Sequence, residues 1–535
     1  MRGAWLALLL APGVPAPAAS QTGSAPANGA PRTAQQPFDL LIRHGQLIDG
    51  TGAPARAADV GIVGDRIVFV GRANPREPQP KRTIDATGLI VAPGFIDPHA
   101  HVLEDLSGAE RRANVPYLMQ GVTTVVTGND GGGPTDVAET LALWERQKLG
   151  TNAALLVGHG AVRRRVLGMA DAAPSAQQLD SMRALVARAM EAGALGLSSG
   201  LYYAPGSYAS TEEVIELAKV AARAAGVYDS HLRDESSYTI GLLAAVDEAI
   251  RIGREAAIPV NISHVKALGA DVWGLSDSVI ARIRAARASG VPVTADQYPY
   301  LASGSSVSAS LLPRWAEAGG RDSLHARLAD PLSRVRIVAE MERNLVRRGG
   351  PASLLITASP DTQLVGKTLE RVAAERGLAP VQAAIDIVLA GGAAVASFNM
   401  AERDVENFMR QDFVMTGSDG STGHPRKYGT FPRKLREYVY NRRVLTLPEA
   451  IHRSSALAAE TFGIDGRGKL VEGSYADVIV FDPQRLADRA TYEDPTRLAV
   501  GMRYVVVNGI VAIDAGAYTG ALAGRALRRG ARKGS

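Results

Sequence analysis

Between residues 89 and 416, short apolar β-prone runs alternate with helical stretches, and that alternation restricts the chain to a parallel α/β architecture. The candidate strands are Leu89–Ile96, Val122–Thr127, Ala153–Gly158, Ala194–Ser198, Val227–Ser230, Ile258–Ser263, Val291–Ala295 and Phe413–Thr416. Thr211–Ala225 and Thr239–Ala257 read as amphipathic helices between them. Eight strands predict a distorted TIM-type (β/α)8 barrel, whose active sites lie at strand C-termini. Ala394–Asn399 is a ninth candidate. The stretch from about Trp315 to Pro380 exceeds a simple crossover and predicts an inserted subdomain.

Both ends of the chain carry hairpin-like sequence. Near the start, Asp59-Val-Gly-Ile-Val-Gly-Asp-Arg-Ile-Val-Phe-Val-Gly turns at Gly64-Asp65, and near the end Val505-Val-Val-Asn-Gly-Ile-Val-Ala-Ile-Asp reads the same way. We therefore expect a small β domain of residues 37–92 and 466–522, flanking a barrel of residues 93–465. Arg2, the apolar run Ala4–Leu10 and small residues near Ala18 predict a secretory signal peptide, with a flexible leader to residue 36. That run is too short to span a membrane. The chain has no Cys, which excludes disulfides, a lipoprotein anchor and thiolate metal ligands. An exported, disulfide-free protein points to a bacterial periplasm.

An excess of five positive charges is small for 535 residues, and the sparse aromatics are not interleaved with basic residues, so nucleic-acid binding is not expected. Residues 523–535 form a basic tail that is expected to fray in solvent. No pattern in the chain specifies an oligomeric state.

Polar residues gather just past the candidate strands. His99 and His101 follow the first strand, spaced i, i+2, so that a strand-like backbone would turn both imidazoles to one side. Asn129 and Asp130 follow the second strand, His159 the third, His231 the fifth, His264 and Lys266 the sixth, Asp296, Tyr298 and Tyr300 the seventh, and Asp419 the last. Five of the nine histidines fall at such positions, which points to a metal-centred site at the barrel mouth. Catalytic zinc commonly has three protein ligands and an open position, lowers the pKa of bound water towards ~7 and polarises a carbonyl. A carboxylate must then carry the proton from water to the leaving nitrogen, and Asp419 is placed for it. Asp419-Gly420 also suits an ordinary turn.

Nine segments, in order, carry a resemblance. They are Pro93–His101, Gly121–Asn129, Gly158–Gly160, Gly193–Gly206, Ser230–Glu235, Ile262–Lys266, Asp296–Tyr300, Gly417–Gly420 and His424–Phe431. By them the chain resembles the N-acyl-D-amino-acid deacylase (D-aminoacylase) family of the amidohydrolase superfamily. The resemblance implies one tightly held zinc on His231, His264 and the residue after Gly128-Asn129. The family usually has Cys there, whereas this chain has Asp130, which is either a carboxylate ligand in its place or a cap of the Gly131–Pro134 loop. An oxygen donor makes zinc less exclusive and admits manganese or cobalt. His99 and His101 would bind a second, weaker metal or line the site. For the substrate carboxylate the resemblance implies Lys266, Tyr298 and Arg426, with Tyr203 from the Leu-Tyr-Tyr-Ala-Pro-Gly loop.

The function implied is hydrolysis of N-acyl-D-amino acids, or short peptides, to a carboxylate and a free D-amino acid. Two alternatives use the same sequence features differently. One is a dipeptidase or cyclic amidase of the dihydroorotase or hydantoinase type. The other is a non-catalytic barrel relative, against which the retained histidines and Asp419 speak.

Overall fold

A computed structural model describes residues 36–74 and 78–530; the expected signal peptide lies outside them except for its last leader residue, Gln36. Eight parallel strands form the barrel: Phe95–Asp97, Val122–Thr127, a third broken at Leu156 into Asn152–Leu155 and Val157–Gly158, then Gly196–Gly200, Val227–His231, Val260–Ile262, Val293–Gln297 and Val414–Thr416. Runs such as Val122-Thr-Thr-Val-Val-Thr127 are buried at every position, because side chains fill the barrel on one face and helices cover the other. The ring closes just past the strands. There His101 N donates to Gly420 O (3.2 Å) and Asp419 N to His99 O (2.8 Å), joining the end of the first strand to that of the last.

The expected strand Leu89–Ile96 is two strands serving two sheets. Ile90–Pro93 joins the small sheet and Phe95–Asp97 the barrel, pivoting at Gly94, where a Cβ would overlap Thr123. The small sheet takes Leu40–Leu47, Arg56–Val63 and Arg66–Gly71 from one end of the chain, and Val478–Phe481, Met502–Val507 and Ile510–Asp514 from the other. Val478–Phe481 and Ile90–Pro93 pair antiparallel at its centre. Asp477 fastens sheet to barrel by accepting from Asn508 N (2.8 Å) and Asn152 Nδ2 (3.2 Å) and pairing with Arg467.

The insertion is larger than expected. Ala302–Ser306, Ala394–Phe398 and Leu354–Ala358 form a separate antiparallel sheet, and helices including Pro331–Arg347 pack with it around their own apolar core. The ninth candidate strand therefore belongs to the insertion. Its partner, Ala-Ser-Gly-Ser-Ser, has little β-propensity and reads as a loop in sequence. The expected helix over Thr239–Ala257 begins only at Leu242, because Asp234 captures the backbone N–H groups of Ser236, Thr239 and Gly241. No helix among the described residues is long and apolar enough to cross a membrane.

The basic tail does not fray over its described part. Gly524 N donates to Leu149 O (2.8 Å), Leu527 N to Ala153 O (2.7 Å) and Arg529 N to Gly193 O (3.0 Å), while Arg525 pairs with Asp65 at 2.7 Å and Arg528 with Glu145. These backbone bonds let the tail run along the outer end of the third strand. Deleting residues 523–535 is expected to lower the unfolding midpoint by about 2–4 °C in calorimetry. An unchanged midpoint would mean that these contacts do not hold in solution.

Candidate active site

The strand ends turn their polar residues inward by unusual backbone geometry. Asp130 (φ 56°), His264 (φ 34°) and Asp419 (φ 48°) all occupy the left-handed region, which non-glycine residues adopt at a cost of about 1–3 kcal/mol each when the surrounding structure enforces it. The result is a cluster around one oxygen. Asp130 Oδ1 stands 3.4 Å from His99 Nε2, 3.5 Å from His231 Nδ1 and 3.5 Å from His264 Nε2, and Asp130 Oδ2 stands 3.4 Å from His101 Nε2. Asp419 Oδ1 lies 3.0 Å from His101 Nε2 and 3.8 Å from His99 Nε2.

Those spacings fit a metal better than a hydrogen-bond network. With ligand bonds of about 2.0–2.2 Å, donors at the corners of a tetrahedron stand about 3.4 Å apart. Both ring nitrogens of His99 and of His231, together with Asp130 Oδ1, are buried without any hydrogen-bond partner. Buried polar atoms are rarely left so, and three of these five, His99 Nε2, His231 Nδ1 and Asp130 Oδ1, face one another as donors to a cation would. The Asp130 side chain thus faces the four histidines. Burial works against the Asp130 charge, but His99, His231 and His264 outweigh it and hold the carboxyl well below its usual range. Asp419 behaves likewise, with Arg426 the largest influence opposing burial.

A polar layer beneath the cluster positions these donors. Asn261 Nδ2 donates to Asp229 Oδ1 and Asp296 Oδ2, both at 2.8 Å, and His264 N donates to Asp296 Oδ1 at 3.0 Å. Asp97 Oδ1 accepts from His99 N (3.1 Å) and Ser418 N (3.0 Å), tying the first strand to the last. Burial pushes the Asp97 carboxyl up to about 7.

The donors open into a cleft of about 400 Å³ that Tyr203, Lys266, Tyr298 and Arg426 also line. Arg426 Nη1 meets Asp419 Oδ2 at 2.7 Å, and its Nε is buried and unpartnered. A Cβ at Gly304 would come within 2.6 Å of Arg426 Nη2, so glycine there makes room for the guanidinium. Burial pushes the Tyr203 and Tyr298 hydroxyls well above their ordinary range, leaving them neutral donors. Tyr300 points elsewhere, to Pro425 O at 3.4 Å.

His159 is not part of the cluster. It begins the helix His159–Leu167, and its Nε2 pairs with Glu213 Oε1 at 2.9 Å beside Arg163. Conversely, sequence reasoning gave Glu235 no role. Its Oε1 lies 3.1 Å from His264 Nδ1 and 2.5 Å from Lys266 Nζ, which leaves His264 Nε2 facing the cluster. The only signal was its i, i+4 spacing from His231 within Ser230–Glu235. Arg348 and Tyr202, from the insertion and a barrel loop, also line the cleft without having been singled out for it.

Comparison with known proteins places this architecture. Residues 82–513 match the model of an amidohydrolase family. The chain is 36% identical to a D-aminoacylase of Alcaligenes xylosoxydans xylosoxydans, over 92% of this chain and 98% of the relative. It is also 36% identical to an N-acyl-D-glutamate deacylase of the same organism, over 93% and 98%. A crystal structure of the N-acyl-D-glutamate deacylase of Bordetella bronchiseptica, complexed with zinc and a phosphonate mimic of the tetrahedral intermediate, superposes with a TM-score of 0.78 at 34% identity, covering 92% of this chain and all of that one. The chain belongs to the amidohydrolase family, in its N-acyl-D-amino-acid deacylase branch. It is a metal-dependent hydrolase of linear amides.

Replacing Glu235 by Gln is expected to weaken zinc binding about 10–100-fold in chelator competition, because partners that orient a metal-bound imidazole contribute on that scale. Unchanged affinity would remove Glu235 from the support of the site.

Proposed function

We propose that this enzyme is an exported zinc-dependent deacylase that hydrolyses N-acyl-D-amino acids to a carboxylate and a free D-amino acid. His231, His264 and Asp130 would hold the tight zinc, and His99 and His101 would bind a weaker one or line the site. The convergence of four histidines on Asp130, where His99 Nε2, His231 Nδ1 and Asp130 Oδ1 are buried and otherwise unpartnered, is the observation that carries this reading. A bound zinc supplies a polarised carbonyl and a water whose pKa falls to about 7.

Asp419 is the proton carrier. It is ionised, and Arg426 fixes one oxygen while the other faces the donor cluster through His101. A carboxylate so held takes a proton from the attacking water and then delivers it to the departing amide nitrogen, which must leave as a neutral amine. Arg426 retains an unpartnered Nε for the substrate α-carboxylate, and Lys266, Tyr298 and Tyr203 supply further donors around it. Holding that carboxylate to one side of the cluster presents one stereoisomer's amide to attack and misplaces the other. A free carboxylate end favours an open acyl-amino acid over a cyclic amide. Export to the bacterial periplasm rests on the apolar run Ala4–Leu10, and N-terminal sequencing of the mature protein tests it.

Amine release should be followed from paired N-acetyl-D- and N-acetyl-L-amino acids. Release is expected from the D-series only, abolished by chelation and restored by zinc. Equal release from the L-series, or none from either with zinc bound, would refute the assignment. Separately, Asp419→Asn is expected to lower kcat by about 10²–10⁴-fold while zinc content stays constant. Undiminished turnover would place proton transfer elsewhere.

A further inference from the structure

Of the three Lys or Arg side chains lining the cleft, two already face an acid. Lys266 meets Glu235 at 2.5 Å and Arg426 meets Asp419 at 2.7 Å. Arg348 does not. It follows the inserted helix Pro331–Arg347, is only 2% exposed, and among the described residues pairs with no Asp or Glu. Its guanidinium donates to three neutral oxygens: Nε to Tyr238 Oη (2.6 Å), Nη2 to Tyr202 Oη (3.0 Å) and Nη1 to Ser303 Oγ (3.4 Å).

A guanidinium buried without a counter-charge is unfavourable, and such groups are ordinarily paired. Of its five N–H groups, these contacts engage three, leaving one on each terminal nitrogen. Those two N–H groups give it donor capacity for a carboxylate. The location is close to the chemistry. Tyr202, which takes Nη2, also stacks its ring on His231 with centroids 5.8 Å apart, so Arg348 stands one phenol ring away from the donor cluster. Ser305 and Ser306 line the same wall, and Ser305 Oγ is buried without a partner.

We infer that Arg348 receives a second carboxylate of the substrate, distinct from the α-carboxylate. The enzyme then selects N-acyl amino acids that are dianions, with the extra charge on either the amino-acid side chain or the acyl chain. This inference rests on the deacylase reading above. It also explains why the insertion closes over the barrel mouth here, since Arg348 and Ser303–Ser306 all come from it.

The test compares kcat/KM for two pairs on the zinc-loaded enzyme. N-acetyl-D-glutamate is set against its monoanionic isostere N-acetyl-D-glutamine, and N-succinyl-D-alanine against N-butanoyl-D-alanine. The wild type should favour the dianion of one pair at least tenfold, mostly through KM, and the favoured pair identifies where the charge sits. Arg348→Met should bring that ratio close to one, and Arg348→Lys should retain part of it. Monoanionic partners used as well as dianions in both pairs would overturn the inference, and this comparison needs no variant. So would an equal loss on both members of a pair in Arg348→Met, which would mark a structural role or a contact to the α-carboxylate. If no N-acyl-D-amino acid is cleaved, the deacylase reading fails by itself. Calorimetric binding of glutarate against its mono-amide then decides: a tenfold advantage lost in Arg348→Met keeps the anion receptor, and equal binding removes it.

Discussion

Asp130 Oδ1 lies within 3.5 Å of imidazole nitrogens from His99, His231 and His264, which three different barrel strands deliver, and most of the fold serves to hold that convergence. Several groups that would each bind a cation are concentrated where water is largely excluded. Such a cluster is costly unless it is rigidly enforced and charge-compensated. The enforcement is visible in the left-handed backbone at Asp130, His264 and Asp419 and in the Asp229–Asn261–Asp296 layer below. Ring closure through His99 and Asp419 makes the same residues both the seam of the barrel and the edge of the site.

This arrangement gives the absent cysteine a physical meaning. A thiolate offers one sulfur donor, whereas the Asp130 carboxylate presents Oδ1 to three histidines and Oδ2 to the fourth. The exchange removes a reactive thiol and would harden the donor set towards oxygen-preferring ions. Glu235 acts one step further out, pairing with Lys266 and lying 3.1 Å from His264 Nδ1, which Lys266 Nζ also contacts at 2.7 Å.

What could be read in sequence follows from locality. The barrel strands were legible because each is a short apolar run, and His99, His101 and Asp419 because they fall directly past such runs. Ala302–Ser306 was not, since its strand character comes from pairing with Ala394–Phe398 across the insertion rather than from its own residues. Arg348 follows an inserted helix whose approach to Tyr202 and Tyr238 no local pattern encodes. His159 misled for the complementary reason: its position past a strand matched the pattern, but a glutamate on a neighbouring helix claims it. The tail looked free because its charges suggest solvent, while its backbone hydrogen bonds are invisible in composition.

The shared carboxylate is the point on which the account stands or falls. Metal content should be measured by elemental analysis of the wild type and Asp130→Ala after stripping and zinc reconstitution, with circular dichroism to verify folding. At least one tightly held zinc is expected per wild-type chain, and far less than one in folded Asp130→Ala. A folded variant that keeps its full zinc complement would show that the histidines hold the metal without Asp130.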